Sequence, residues 1–157
     1  MTATPPSIPL DQPLRGATFG QAISRFWRKY ATFSGRASLS EYWFAVLFVV
    51  LVLIVIWVPG FIVGLATGTP GVTPSGSPST TLGPGVIPFA IVGGLFYLAI
   101  LIPLIAIQVR RLHDANLSGG LWFLHLIPSI GSIIVLVFTL MPANPLGARF
   151  DRSATTG

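Results

Sequence analysis

The chain has 157 residues, of which 8% are charged and 52% are hydrophobic. Soluble domains carry roughly 25% charged residues, so this composition excludes an ordinary soluble fold and fits one domain in lipid. The net charge of +5 does not indicate a nucleic-acid partner, because no nucleic-acid-binding motif accompanies the basic residues. The absence of cysteine excludes disulfides, thiolate catalysis and cysteine metal sites.

The N-terminal region precedes any apolar run. Residues 1–17 contain four prolines among small polar residues, which predicts a disordered tail. From Thr18 onward, aromatic residues recur at helical spacing opposite basic ones, and Gln21 completes a capping box with Thr18. The pattern fits an amphipathic helix in the headgroup plane, or one packed on the cytoplasmic ends of the spans. Its predicted interfacial anchors are Phe26, Trp27 and Tyr30.

Three uncharged apolar runs follow, at about 43–66, 86–107 and 121–141. Each is close to the roughly 20 residues that cross a hydrocarbon core as a helix. The sequence therefore predicts an all-α membrane protein with three transmembrane helices and the N-terminal interfacial helix. These elements would form a single membrane domain over 18–151, with a short tail at 152–157.

The third run contains Pro128 and Gly131 near its middle. It is either one kinked span or two half-length helices that form a re-entrant hairpin. We favour one span, because about 11 residues on each side are too few for two crossings.

The distribution of basic residues predicts the orientation in the membrane. Lys and Arg precede the first run and follow the second, whereas the Gly-, Pro-, Ser- and Thr-rich segment 67–85 carries no charge. By the positive-inside rule, the N-terminus and the 108–120 loop are cytoplasmic and 67–85 is a flexible external loop. With three spans the C-terminus would be external.

Two polar motifs lie on the cytoplasmic side, GRASLSEYW at 35–43 and RRLHD at 110–114 followed by Ser118 and Gly119. On these motifs the chain resembles the domain of unknown function 805 family of small bacterial inner-membrane proteins. Its members share Gly-Arg-x-Ser-x-x-Glu-Tyr-Trp before the first span and Arg-Arg-Leu-His-Asp, then Ser-Gly, before the last. The resemblance covers about 30–151 and implies fold and location, but no activity. Residues 148–151 read Ala-Arg-Phe-Asp where members often have Asn-Arg-Phe/Tyr-Gly.

One interpretation of the motifs is structural, because charges at a dehydrated interface need partners. Glu41 would pair with Arg110 or Arg111, and Asp114 would pair with Arg36. Ser38 and Glu41 have the spacing of a second capping box, at the start of the first span, and Ser118 is the predicted N-cap of the third. Further interfacial anchors are Tyr42 and Trp43.

The other interpretation is a binding site for an anionic lipid headgroup or phosphate. Guanidinium groups bind phosphate through two parallel hydrogen bonds, and a histidine beside them titrates near neutral pH. The candidate residues are Arg36, Arg110, Arg111 and His113.

His125, within the third run, is either a functional ionisable group or a side chain bonded to a neighbouring carbonyl; we favour the second. No cofactor, metal or catalytic residue is predicted, because no cluster has the required spacing. We expect a noncatalytic module that binds anionic lipid or a partner membrane protein, with membrane lipids, a second copy or another membrane protein as partners. The alternatives are an oligomeric transport or channel component and, third, an intramembrane enzyme.

Overall fold

The computed structural model describes residues 8–10 and 12–151, so the predicted tail at 152–157 lies outside the described residues. Residues 8–10, 12–46 and 101–151 form one compact unit, called here the terminal unit. Leu47–Ile100 form the second, called the central unit. Each unit is described by itself.

Two long helices, α2 (Leu39–Ala66) and α3 (Ile87–Asp114), contain the first two apolar runs. Among the described residues, α2 and the stretch Pro84–Asp114 are long and apolar enough to cross a membrane. At 1.5 Å per residue, 28 helical residues extend about 42 Å, which exceeds a hydrocarbon core of about 30 Å. The sequence prediction of helices in these two runs is therefore confirmed.

In the central unit, the two helices approach closely at glycine. A Cβ added to Gly60 would lie 2.6 Å from the Cβ of Phe89, so a larger residue would force the helices apart. Large apolar side chains point outward from both helices, with Val55 70% exposed and Leu98 65% exposed. Such a surface is unfavourable in water, and lipid solvates it.

The predicted flexible loop 67–85 contains an antiparallel hairpin of β1 (Thr69–Val72) and β2 (Pro78–Thr81). Thr69 pairs with Thr81, and Val72 pairs with Pro78. β-Branched threonines favour extended backbone, and Gly76 adopts φ +83° in the connecting turn. Local turn chemistry therefore gives regular structure to a segment whose composition indicated a loop.

The third apolar run is broken into a 3₁₀ helix (Gly119–Leu126) and α4 (Ile130–Leu140). The break is local, since Pro128 lacks an N–H and Ser129 adopts φ +63°. A Cβ on Gly131 would lie 1.7 Å from the Leu124 carbonyl oxygen, so the two segments pack at a distance only glycine allows. Their 8 and 11 residues extend about 16 Å each, half a hydrocarbon core. The single continuous span that the sequence favoured is not confirmed.

Both ends of the third run lie beside the last turns of α3. At its start, a Cβ on Gly119 would lie 2.6 Å from Cγ1 of Val109. At its end, Nε of Arg111 donates to the carbonyl of Thr139 at 2.9 Å. Within the terminal unit, the third run therefore begins and ends beside the same end of α3.

The first helix, α1 (Phe19–Arg28), begins with the predicted capping box. The N–H of Thr18 donates to Oε1 of Gln21 at 2.9 Å, and the N–H of Gln21 donates to Oγ1 of Thr18 at 3.4 Å. The interfacial position of this helix stays a prediction.

The predicted interfacial anchors separate into two groups. Phe26 is fully buried and Tyr42 is 8% exposed, so both belong to the core of the terminal unit rather than to a lipid-facing surface. Helical spacing placed Phe26 on the apolar face of the first helix, and the half-polar ring of Tyr42 suggested the membrane interface, but both side chains pack against protein. Trp27 and Trp43 are exposed, and Tyr30 is half-buried and stacks on Trp27.

Candidate functional site

The most unusual feature of the terminal unit is a group of buried charges, called here the charge cluster. Its members come from α1, α2 and the end of α3, and each is 8% exposed or less. They are Arg25, Lys29, Glu41, Arg110, Arg111 and Asp114. Because a buried charge without partners costs several kcal/mol, the hydrogen bonds of these groups determine what the cluster does.

Glu41 is the centre of the first half of the charge cluster. Its Oε1 accepts from Nε of Arg25 at 2.5 Å, and its Oε2 accepts from the backbone N–H groups of Leu14 and Ser38, both at 2.9 Å. The N–H of Glu41 donates to Oγ of Ser38 at 3.3 Å. The capping box predicted for Ser38 and Glu41 is therefore confirmed, and the Glu41 carboxylate also forms an ion pair with Arg25.

The sequence prediction that Glu41 pairs with Arg110 or Arg111 is wrong. Arg25 takes that place because α1 packs with its buried face against the start of α2. Sequence analysis had assigned Arg25 to the polar face of an amphipathic helix. Arg25 directly precedes the fully buried Phe26 and lies one helical turn before Lys29, which is 2% exposed, so this side of the helix faces inward.

Arg25 also binds the polypeptide that precedes α1, called here the N-terminal strap (described residues 8–10 and 12–17). Its Nη1 donates to the carbonyl of Ile8 at 3.4 Å, and its Nη2 donates to those of Pro9 at 3.3 Å and Leu10 at 3.2 Å. Nη2 also donates to the carbonyl of Gln12. The sequence prediction of a disordered tail did not anticipate these contacts; residues 1–7 and 11 lie outside the described residues.

Arg111 is the centre of the second half of the cluster. Its Nη1 donates to Oδ2 of Asp114 at 2.8 Å, one turn along the same helix. Its Nε donates to the carbonyl of Thr139, and its Nη2 donates to that of Met141. The guanidinium of this fully buried residue therefore joins the end of α3 to the end of α4.

The predicted pairing of Asp114 with Arg36 is also wrong. Arg36 forms a forked pair with Asp151, in which Nε donates to Oδ1 at 2.9 Å and Nη2 donates to Oδ2 at 2.6 Å. The hydrogen bond to Asp151 raises the pKa of Arg36 above its ordinary value. The partner of the motif arginine Arg36 therefore comes from the segment that follows α4.

The two histidines are bound to backbone. Nδ1 of His113 lies 3.1 Å from the carbonyl oxygen of Gly35, and its ring stacks on Phe150 with centroids 4.0 Å apart. Nδ1 of His125 lies 2.9 Å from the carbonyl oxygen of Trp122, which supports the carbonyl-bonded interpretation.

Ser118 caps the 3₁₀ helix of the third run. Its Oγ accepts from the N–H of Gly120 at 3.3 Å. The sequence predicted this capping role for the start of a third transmembrane helix. The cap is confirmed, but the helix that it begins is a 3₁₀ helix of 8 residues.

Arg110 differs from the other arginines of the cluster. It is 1% exposed, and its Nε donates to the carbonyl of Ala106 at 3.2 Å. Its Nη2 is buried without a hydrogen-bond partner among the described residues. Glu41 forms its ion pair with Arg25 and also offsets part of the charge of Arg110.

The four residues predicted to bind an anion are thus not free to do so. Arg36, Arg111 and His113 are bonded to protein groups, and Arg110 is inaccessible. Among the described residues, no group of three or more His, Asp or Glu is placed to hold a metal ion.

The exposed charges lie elsewhere. Within the part of the chain that the structure describes, the exposed charged residues are Arg15, Arg28 and Arg149. Sequence analysis did not select them as ligand-binding residues. The signal that could have found Arg28 is its place on the polar face of α1.

Comparison with known proteins identifies the family to which the chain belongs. Residues 30–152 match the family described as "Protein of unknown function (DUF805)". The inner membrane protein YhaI of Escherichia coli strain K12 and that of strain O157:H7 are each 43% identical to this chain over 44 residues. The match covers 28% of this chain and 37% of each relative, so the chain spans little more than a third of these curated relatives. No solved structure matches. Since the family match covers most of the chain and includes both polar motifs, the chain belongs to the DUF805 family of proteins of unknown function.

Proposed function

We propose that this protein is a noncatalytic module of the bacterial inner membrane that binds anionic phospholipid headgroups in the cytoplasmic leaflet. Its exposed arginines make the contact, and the charge cluster holds the fold. The partial match to a protein named as an inner membrane protein supports the location.

The observation that carries the proposal is the unequal exposure of the two signs of charge. The three described carboxylates, Glu41, Asp114 and Asp151, each form an ion pair with an arginine. Arg15, Arg28 and Arg149 are exposed, so the fully exposed charges among the described residues of the terminal unit are all positive. Basic residues near a membrane surface gain about 1 kcal/mol each from anionic lipid.

The proposed topology has two crossings, α2 and α3, with the third run as a re-entrant hairpin. Its two ends lie beside the end of α3, and its halves are each about 16 Å long, too short to cross. The N-terminus and the C-terminus would then both be cytoplasmic. This arrangement also puts Arg149 on the side that the positive-inside rule favours, whereas three spans would put it outside.

The lipid proposal is tested by counting bound lipids. Wild-type protein and two double variants, Arg28→Gln/Arg149→Gln and Arg28→Lys/Arg149→Lys, are reconstituted in nanodiscs of equal phosphatidylglycerol and phosphatidylcholine. Lipids retained after release are identified by native mass spectrometry. Loss of two arginines, at about 1 kcal/mol each, should lower the preference for phosphatidylglycerol about thirtyfold.

The lysine variant is the matched control, because it keeps both charges at the same positions. It should retain phosphatidylglycerol nearly as well as the wild type. Equal retention by the glutamine variant, or a preparation without anionic lipid in all three proteins, would overturn the proposal.

A further inference from the structure

We propose that the groove between α1 and the start of α2 is a binding site for a proline-containing polypeptide segment. The chain fills this site with its own N-terminal strap, and a segment of the same chemistry can replace the strap in trans. The site does not depend on the exposed arginines that carry the lipid proposal.

Recognition of the strap is through its main chain. Nη1 and Nη2 of Arg25 donate to four carbonyl oxygens, those of residues 8, 9, 10 and 12. A guanidinium has five N–H donors in a fixed fork. Here the carbonyls converge on it because the chain turns, with the N–H of Gln12 donating to the carbonyl of Pro9 at 3.2 Å. The side chains of Ile8 and Leu10 point outward and are each 43% exposed.

The start of α2 continues this contact at Leu14, where both main-chain groups are bound. The N–H of Leu14 donates to Oε2 of Glu41 at 2.9 Å, and its carbonyl accepts from Oγ of Ser38 at 2.6 Å. The N–H of Ala17 donates to Oγ of Ser40 at 3.0 Å. Paired donor and acceptor contacts to the main chain of one residue supply affinity that does not depend on its side chain.

Proline suits this groove. Pro9 uses only its carbonyl, so its missing N–H costs no contact, and Pro13 lies just before the doubly bound Leu14. Proline also restricts the unbound segment, which lowers the entropy that is lost when the segment binds.

The strap is joined to the groove by a residue that permits rotation. Gly16 has φ +67°, and a Cβ added there would meet nothing within 4 Å. The matched family region begins at residue 30, so Ser38 and Glu41 belong to it and the strap precedes it. The α2 wall of the groove is therefore part of the family domain, and the occupant comes from outside that domain.

The test uses the full chain and a labelled synthetic peptide of residues 8–17, in phosphatidylcholine nanodiscs that exclude attraction of the peptide to anionic lipid. Leu14→Pro removes the N–H that binds Glu41 and should release the strap, while the groove stays intact. Fluorescence anisotropy should show at least about tenfold tighter peptide binding to this variant than to wild type, since one hydrogen bond to a carboxylate is lost from the competing strap. Leu14→Ala keeps the N–H and should behave as the wild type.

Two further measurements make the test decisive. Hydrogen exchange of residues 12–17 reports whether Leu14→Pro frees the strap, and a peptide N-methylated at Leu14 should bind about tenfold more weakly. Pro13→Gly, a milder change, should tighten peptide binding about two- to fivefold. The proposal is overturned if the peptide binds no better once the strap is free. It is also overturned if the strap stays protected in Leu14→Pro, because the Glu41 contact would then not hold it.

Discussion

Glu41→Gln should destabilise this protein by several kcal/mol, because it breaks a buried ion pair. The carboxylate accepts three hydrogen bonds, one of them in the ion pair with the buried Arg25, and it offsets part of the charge of the buried Arg110. Removing one partner of a buried pair costs about 3–5 kcal/mol, because the other charge stays buried and uncompensated.

That cost converts to a large shift in melting temperature. For a chain of this size, 1 kcal/mol corresponds to about 2–4 °C, so Glu41→Gln should lower the Tm by about 6–20 °C. Thermal unfolding in phosphatidylcholine nanodiscs, followed by tryptophan fluorescence, measures this shift.

Asp151→Asn is the matched control, since it removes one charge from a pair of similar geometry at a more accessible place. The side chains of Arg36 and Asp151 are 13% and 18% exposed, so solvent screens the pair and its loss should cost about 1 kcal/mol. A Glu41→Gln protein that melts within about 2 °C of the wild type would refute the reasoning. Equal losses from both variants would show that burial does not set the cost.

Two more predictions concern the third run. Because the chain lacks cysteine, Ala148→Cys and Ser75→Cys each introduce a unique thiol. With a re-entrant third run, a membrane-impermeant maleimide should label Ser75→Cys in intact cells and Ala148→Cys only after permeabilisation. Labelling of Ala148→Cys in intact cells would mean that the run crosses the membrane. Gly131→Ala should cost about 3 kcal/mol or more in thermal unfolding, because its Cβ would lie 1.7 Å from the Leu124 carbonyl oxygen. Gly94→Ala meets nothing within 4 Å and should leave the Tm unchanged or higher, so equal effects of the two changes would contradict the packing argument.

The sequence by itself determined the features that depend on neighbours in the chain. An uncharged run of more than 20 residues satisfies its backbone in lipid only as a helix, which is why α2 and α3 were predictable. The capping boxes at Thr18 and Ser38 follow from a spacing of three residues, and both formed. The family followed from two local motifs of fixed spacing.

The charge pairs depended on tertiary structure, because the partners are distant in the chain. Arg36 and Asp151 are 115 residues apart, and Arg25 meets Glu41 only because α1 packs against α2. The sequence indicates that a charge at a dehydrated interface needs a partner of opposite sign. It does not indicate which one, because any opposite charge at the same interface meets that need. It therefore assigned the correct acids to the wrong arginines.

The form of the third run was decided in the same way. Pro128 and Gly131 permit both a kink and a turn, since each only removes a local restraint. The contact of Gly131 with the Leu124 carbonyl, and the bonds from Arg111 to the end of α4, select the turn. Local chemistry determines which conformations a segment can adopt, and the free energy of contacts made far along the chain determines which of them is occupied.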